Sequence, residues 1–334
     1  MFITKYIDKL ALYDLHKKRS KVTQYASFKN ETIKNEEREN FYNTYAAKPQ
    51  FDINPTENKT YSSGNFNFRS SISLGDKNND MVSGESYLNS NENAPNIIFV
   101  HGWRMDSNDR IKNIFHKDML NLGWNMYYFT LPYHFEREPE ESIYSGEFMI
   151  SANIERTVAA SRQAVADLRA LIQWIKTNKS GPVILIGVSL GGFITNLTAT
   201  LESSIDVLVS VFYANRLSYS IWNTNPGMYI KKDLVQNGVT HDVLKEKWEI
   251  TEPSVSKPKM DRDNILLISA KHDQYVHMED TSYLWESWGK PKRLVYNCGH
   301  SGIVLNRKRI SEDTISFIRS KIFRYEYLNV GLRI

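Results

Sequence analysis

The chain has 334 residues, of which 41% are hydrophobic, and this is enough for a large core in one α/β domain of about 230 residues with additions. Its 42 basic and 38 acidic side chains leave a net charge of +4, a balance that argues against a nucleic-acid partner. No apolar run approaches the roughly 18 residues of a membrane span, and the single cysteine, Cys298, excludes an internal disulfide. We therefore expect a cytoplasmic protein.

The beginning of the chain has the periodicity of an amphipathic helix, and the charges between its apolar positions exclude a secretory signal. The apolar positions are Phe2, Ile3, Tyr6, Ile7, Leu10 and Tyr13. We favour a helix that docks on the core or on a second subunit. The alternative is a basic helix on a lipid surface, which Lys17, Lys18, Arg19 and Lys21 support.

The rest of residues 1–94 is polar and is predicted to form opening strands that pack on the core. Phe66 and Phe68 alternate with polar neighbours in one of these strands. Glu85 to Leu88 are predicted to form a second.

The most informative stretch runs from Val183 to Phe193. Four branched apolar residues, Val183 to Ile186, predict a strand that is buried on both faces of a parallel sheet. The sequence Gly187-Val188-Ser189-Leu190-Gly191 follows, and its glycines permit a sharp turn into a helix. Ser189 is predicted to lie at the apex of this turn, where a nucleophilic serine is needed; the alternative is a serine that only caps the helix.

This G-x-S-x-G turn, in its strand and helix context, resembles the nucleophile turn of the α/β-hydrolase superfamily. The resemblance covers about residues 95–325 and implies a mostly parallel sheet with helices on both faces. In that family a catalytic acid and a catalytic base follow later strands. Asp273 follows the predicted strand Ile265–Ala270, and His300 follows the strand 294–296, so the order Ser189, Asp273, His300 matches. A turn-forming aspartate is the alternative for Asp273.

The resemblance also implies an oxyanion hole made by two backbone N–H groups. The predicted strand 97–100 ends in His101-Gly102-Trp103, so Trp103 corresponds to the first donor and Leu190, the residue after Ser189, to the second. We expect His101 to brace this loop through hydrogen bonds.

The remaining elements complete the alternation of strands and helices. Strands are predicted at 124–131 and 207–213, and helices at 107–122, 151–178, 193–201 and 310–322. The segment at about 214–262 contains no buried-strand pattern and resembles the helical cap that covers the active site in many members of the superfamily. Residues 326–334 are assigned to a C-terminal tail.

Three side chains are candidate substrate-binding residues. His134 and Arg137 follow a predicted strand at the same edge of the sheet as Ser189 and are suited to a carboxylate or phosphate. A salt bridge between Arg137 and a neighbouring glutamate is the alternative. Trp222 represents the aromatic residues of the cap, which suggest an apolar pocket or are packed on the core.

The function predicted from these residues is hydrolysis of a carboxylic ester or thioester through an acyl-enzyme intermediate. Acyl transfer, peptide cleavage and a non-catalytic binding protein on the same scaffold are the alternatives. The substrate is expected to be a small acyl ester or thioester. The chemistry requires no cofactor or metal, and His272 and His277 are too few to suggest a metal site. The sequence is compatible with an oligomer as well as with a monomer.

Overall fold

The structure is a computed structural model that describes residues 12–13, 23–29, 32–56 and 60–330, with side chains as far as residue 323. The helix predicted at the start of the chain lies outside the described residues, apart from Leu12 and Tyr13.

The architecture is organised around one sheet of nine strands in the order β1-β2-β3-β5-β4-β6-β7-β8-β9. Strands β4 to β9 pair in parallel, whereas β1, β2 and β3 form antiparallel pairs and β3 joins β5 antiparallel. The predicted α/β class with a mostly parallel sheet is therefore confirmed. The strands are β1 (Gln50–Pro55), β2 (Tyr61–Arg69), β3 (Met81–Asn89), β4 (Asn96–Val100), β5 (Asn125–Phe129), β6 (Val183–Val188), β7 (Val207–Val211), β8 (Ile265–Ala270) and β9 (Lys292–Tyr296).

Helices cover both faces of the sheet. They are α1 (Arg38–Phe41), α2 (Asp109–Asn121), α3 (Ile154–Asn178), α4 (Leu190–Ala199), α5 (Leu217–Asn223), α6 (Met228–Gln236), α7 (His241–Trp248), α8 (Met278–Ser287) and α9 (Arg307–Val330). Alternate residues of each central strand point to opposite faces, so that Ile98 packs with α3 and α4 whereas Ile97 packs with α2 and α9. This two-sided burial explains why β4, β6, β7 and β8 have continuous apolar sequences.

The three opening strands belong to the same sheet as the rest of the chain. Strands β2 and β3 contain the predicted residues Phe66, Phe68 and Glu85 to Leu88 but are longer than predicted. Strand β1 was not predicted, because it lies at the sheet edge, has no fully buried side chain and ends in Pro55.

The segment between β7 and β8 contains helices and no strand, as predicted. Three of its apolar side chains, Leu234, Leu244 and Trp248, are fully buried in the main core. The Trp248 indole N–H donates to the Ile154 carbonyl oxygen at 3.2 Å, which ties this segment to α3. Many of its apolar residues therefore have a structural role.

The last helix is longer than predicted. It begins at Arg307 and continues through Val330, so the first part of the tail predicted at 326–334 is helical in its backbone. Residues 331–334 lie outside the described residues. Within the described part of the chain, every helix is too short or too polar to serve as a membrane span.

Candidate active site

Ser189 lies between β6 and α4 in a strained backbone conformation. Its φ of 56° and ψ of −113° belong to a region that residues with a side chain rarely adopt. A Cβ on Gly191 would lie 2.0 Å from the Val100 carbonyl oxygen, and a Cβ on Gly187 would lie 2.4 Å from the Gly191 carbonyl oxygen. Only glycine fits at these two positions, and the close approach that they allow holds Ser189 at the sharp turn.

His300 and Asp273 are brought together from loops that follow β9 and β8. The His300 Nδ1 lies 2.7 Å from Asp273 Oδ2, and only 4% of Asp273 is exposed. The other carboxylate oxygen, Oδ1, accepts hydrogen bonds from the backbone N–H groups of Tyr275 and Val276, both at 2.8 Å. Asp273 is thus fixed on both oxygens. The Tyr275 ring stacks on the His300 imidazole with 4.8 Å between the ring centroids.

The loop that follows β4 lies beside the Ser189 turn. Val100 pairs with Gly187 in the sheet register, so the residues after these two strands are neighbours. A Cβ built on Gly102 would lie 3.4 Å from the Ser189 Cβ, an ordinary van der Waals distance. Trp103 and Leu190, whose backbones are the predicted oxyanion donors, follow Gly102 and Ser189 directly in the chain and line the same cavity.

His101 supports this loop through hydrogen bonds of both ring nitrogens. Its Nδ1 lies 2.9 Å from the Gly102 carbonyl oxygen, and its Nε2 accepts the Leu131 backbone N–H at 3.1 Å. Burial lowers the pKa of His101 to about 4, so this imidazole is neutral at physiological pH. With Nε2 occupied as an acceptor and no exposed surface, His101 is not available as a general base.

The Trp103 indole, for which no role was predicted, anchors the same loop. Its N–H donates to the Gly146 carbonyl oxygen at 2.7 Å, and the Arg104 guanidinium lies over its ring at 4.5 Å. Gly146 has a φ of 79° and lies so close to the His134 ring that a Cβ would be 2.1 Å from Nε2. The sequence shows Trp103 and Arg104 directly after His101-Gly102. It gives no signal for the hydrogen bond from the indole to Gly146, which is 43 residues further along the chain.

Ser189 and His300 line one cavity of about 840 Å³. Trp103 and Leu190 also line it, whereas Asp273 lies behind His300. Apolar side chains also line the cavity, among them Leu12, Ile150, Leu217, Ile221, Pro226 and Val276. Apart from His300, the charged acidic and basic side chains of the described lining are those of three arginines and one aspartate: Arg104, Arg110, Arg307 and Asp106. None of these four residues was predicted to be a site residue.

The prediction that His134 and Arg137 bind substrate is wrong, because both side chains are fully buried and neither lines the cavity. The Arg137 guanidinium donates to Asp167 Oδ2 at 2.9 Å, and to the Asn79 and Thr130 carbonyl oxygens. The salt bridge is therefore formed with Asp167 of α3 and not with a neighbouring glutamate. His134 packs beside His101, and its Nδ1 lies 2.8 Å from the Pro132 carbonyl oxygen.

Trp222 is also absent from the described cavity lining, in contrast to the prediction. Its ring stacks on His241 with 5.2 Å between the centroids, and the Lys231 ammonium lies over it at 5.0 Å. The cavity is lined instead by its neighbours Ile221 and Thr224. The aromatic residues of this segment thus contribute less to the cavity than its aliphatic ones.

A family model described as alpha/beta hydrolase domain containing 18 matches residues 91–254 of this chain. The YdjC protein of Bacillus subtilis (strain 168), named as uncharacterized, is 65% identical over 115 residues, which are 34% of this chain and 99% of that protein. The uncharacterized protein Rv2627c of Mycobacterium tuberculosis (strain ATCC 25618 / H37Rv) is 28% identical over 224 residues. That match covers 65% of this chain and 52% of the mycobacterial relative.

Among solved structures, the acetyl xylan esterase from Paenibacillus sp. R4 superimposes with a TM-score of 0.65 and 12% identity, over 89% of this chain and 97% of that chain. Acetyl xylan esterase 1 from Thermoanaerobacterium sp. JW/SL YS485 gives a TM-score of 0.60 at 13% identity, over 85% and 92% of the two chains. The esterase Pf2001 from Pyrococcus furiosus gives 0.53 at 16% identity, over 83% and 98%. At these identities the likeness concerns the fold.

Proposed function

Because the chain belongs to the α/β-hydrolase superfamily, we propose that it is a serine hydrolase that cleaves a carboxylic ester or thioester through an acyl-enzyme intermediate. The observation that carries this proposal is the hydrogen bond between the buried Asp273 carboxylate and His300, which lines the same cavity as Ser189. A serine held at a strained turn, an imidazole and a carboxylate have the residue types and the chain order of the family's catalytic triad.

The chemistry follows from the hydrogen bonds around the imidazole. With its Nδ1–H held by Asp273, His300 has Nε2 as its basic nitrogen, which takes the proton from the Ser189 hydroxyl as Oγ attacks the carbonyl carbon. The same proton then goes to the leaving oxygen or sulfur as its bond to the carbonyl carbon breaks. Water attacks the acyl-enzyme in the second half of the reaction, and its proton passes through His300 to restore Ser189.

The developing oxyanion has two backbone donors in this scheme. These are the N–H groups of Trp103 and Leu190, and Leu190 is the first residue of α4, so the helix dipole adds to the positive potential. Each such donor typically contributes about 3 kcal/mol to stabilisation of the transition state.

The aliphatic part of the cavity supports an apolar acyl group. Leu217, Ile221 and Val276 carry no charge and lie on the same cavity as Ser189. A pocket of this kind accepts aliphatic chains by burial of apolar surface.

Covalent labelling tests the proposed nucleophile. A fluorophosphonate probe is expected to label the wild-type protein and not Ser189→Ala, because the serine oxygen displaces fluoride from phosphorus only at the activated site. Ser220→Ala is the matched control, since Ser220 lines the same cavity but lies within α5 and not at the strained turn. A folded wild type that does not label would favour a non-catalytic binding protein.

The Trp103 indole is expected to position the first oxyanion donor. Trp103→Phe removes the hydrogen bond to Gly146, and we expect kcat for p-nitrophenyl butyrate to fall about tenfold with little change in KM, because a donor that moves affects the transition state most. Trp222→Phe, outside the described cavity lining, is the control and should retain wild-type kcat. Equal loss in both variants would contradict this role.

A further inference from the structure

The charges of the cavity are distributed unevenly among the elements that line it. Arg104 and Asp106 belong to the loop after β4, Arg110 to the first turn of α2, and Arg307 is the first residue of α9. The lining residues from α5 and from the segment just before it are uncharged. One set of elements is therefore basic with a net charge of +2, and the other is neutral and mainly apolar.

The packing of two helices brings Arg110 and Arg307 to the same cavity. Helices α2 and α9 lie side by side on one face of the sheet, and the Ser311 hydroxyl donates to Asp118 Oδ2 at 2.7 Å between them. Both helices begin at the cavity, so Arg110 and Arg307 both line it although they are far apart in sequence.

These guanidinium groups have no anionic partner in the described part of the chain. None of the three forms an ion pair or a hydrogen bond with a described residue, although Asp106 lines the same cavity and is exposed. Elsewhere in the same part of the chain, arginines such as Arg137 and Arg216 are paired with carboxylates. Arg104 is held on the Trp103 ring, which fixes its guanidinium without neutralising it.

We propose that Arg104, Arg110 and Arg307 form an anion subsite that binds a negatively charged group on the leaving-group part of the substrate. This inference rests on the proposed function, since it assigns a specificity to the same cavity. The leaving group is the part that receives the proton from His300, and the chain segment that follows His300 lines the cavity and leads directly to Arg307. Guanidinium groups bind carboxylate and phosphate oxygens through charge-assisted, often bidentate hydrogen bonds.

The division of the cavity then has a chemical meaning. The acyl chain lies against the apolar residues of α5, and the charged leaving group lies against the basic loop and the starts of α2 and α9. The substrate class is an ester or thioester that joins an apolar acyl group to an anionic alcohol or thiol. The structure thus assigns anion recognition to residues other than His134 and Arg137.

A matched pair of aryl esters tests this specificity. The butyrate esters of hydroxy-nitrobenzoate and hydroxy-nitrobenzamide share the acyl group and differ in the charge of the leaving group. We expect the wild type to prefer the carboxylate ester by about tenfold in kcat/KM, and this preference to shrink as salt is raised. In Arg110→Gln/Arg307→Gln the ratio should fall toward that of the uncatalysed reaction, and Arg104→Gln should lower it as well.

Lys308→Gln is the matched control, because it removes the same charge one residue from Arg307 but outside the described cavity lining. It should keep the wild-type preference. A wild type without any preference, or a preference that survives in the double arginine variant, would overturn the subsite.

A binding measurement separates this inference from the proposed function. Calorimetry with the Ser189→Ala variant measures binding without turnover. We expect this variant to bind hydroxy-nitrobenzoate about tenfold more tightly than hydroxy-nitrobenzamide. Tighter binding of the anion by a protein that hydrolyses neither ester would retain the subsite and reject the hydrolase. Hydrolysis of both esters at equal rates, with equal binding of the two phenols, would retain the hydrolase and reject the subsite.

Discussion

Asp273→Asn is expected to lower kcat by about 10⁴-fold while the protein remains folded. The asparagine keeps a carbonyl oxygen for the Tyr275 and Val276 N–H groups, so the loop retains its backbone hydrogen bonds. Its amide NH₂ would then face His300 Nδ1, where the aspartate oxygen now lies. An amide donor in that place favours the tautomer with the proton on Nε2, and such an imidazole cannot accept the Ser189 proton.

The measurement is the steady-state hydrolysis of p-nitrophenyl butyrate, with circular dichroism to confirm the fold. The rate of fluorophosphonate labelling should fall in parallel, because it depends on the same proton transfer. His272→Gln is the matched control, since His272 precedes Asp273 but bonds to Asn297 and does not line the cavity. A loss of less than about tenfold in Asp273→Asn would exclude the aspartate from the proposed triad.

The sequence predicted the parts of the molecule that have local signals. Strands β4, β6, β7 and β8 are buried on both faces and therefore have continuous apolar sequences. These sequences predicted where the four strands lie in the chain. Ser189, Asp273 and His300 each follow one of the predicted strands. Since parallel strands end at one edge of a sheet, their meeting on one side of the molecule could be expected from chain order.

The substrate-contacting residues could not be predicted in this way, because they depend on the direction of side chains in irregular segments. Arg137 follows β5 at the expected edge, but positive φ values at Tyr133 and Phe135 turn the chain there, and the guanidinium points into the protein. Its partner Asp167 is 30 residues away on α3. No local sequence pattern marks Arg110 or Arg307 as a cavity residue, because only the packing of α2 against α9 brings them to one cavity.

Arg137→Met is expected to lower the free energy of unfolding by about 3–5 kcal/mol. Removal of the guanidinium leaves the Asp167 carboxylate fully buried without its cation, and leaves the Asn79 and Thr130 carbonyl oxygens without this donor. Burial already raises the pKa of Asp167 to about 6, which shows how unfavourable an ionised carboxylate is at this position. Without Arg137, the carboxylate loses the charge interaction and the hydrogen bond that offset its desolvation.

Urea denaturation measures this loss, and the partner variant makes the test specific to the ion pair. Asp167→Asn in the Arg137→Met background replaces the unpaired charge by a neutral amide, so the double variant should be more stable than Arg137→Met alone. Lys308→Gln breaks a highly exposed pair with Glu312 and should change stability by no more than about 0.5 kcal/mol. If Arg137→Met instead cost as little as Lys308→Gln, the guanidinium would have to be accessible to solvent, and its exclusion from substrate binding would no longer hold.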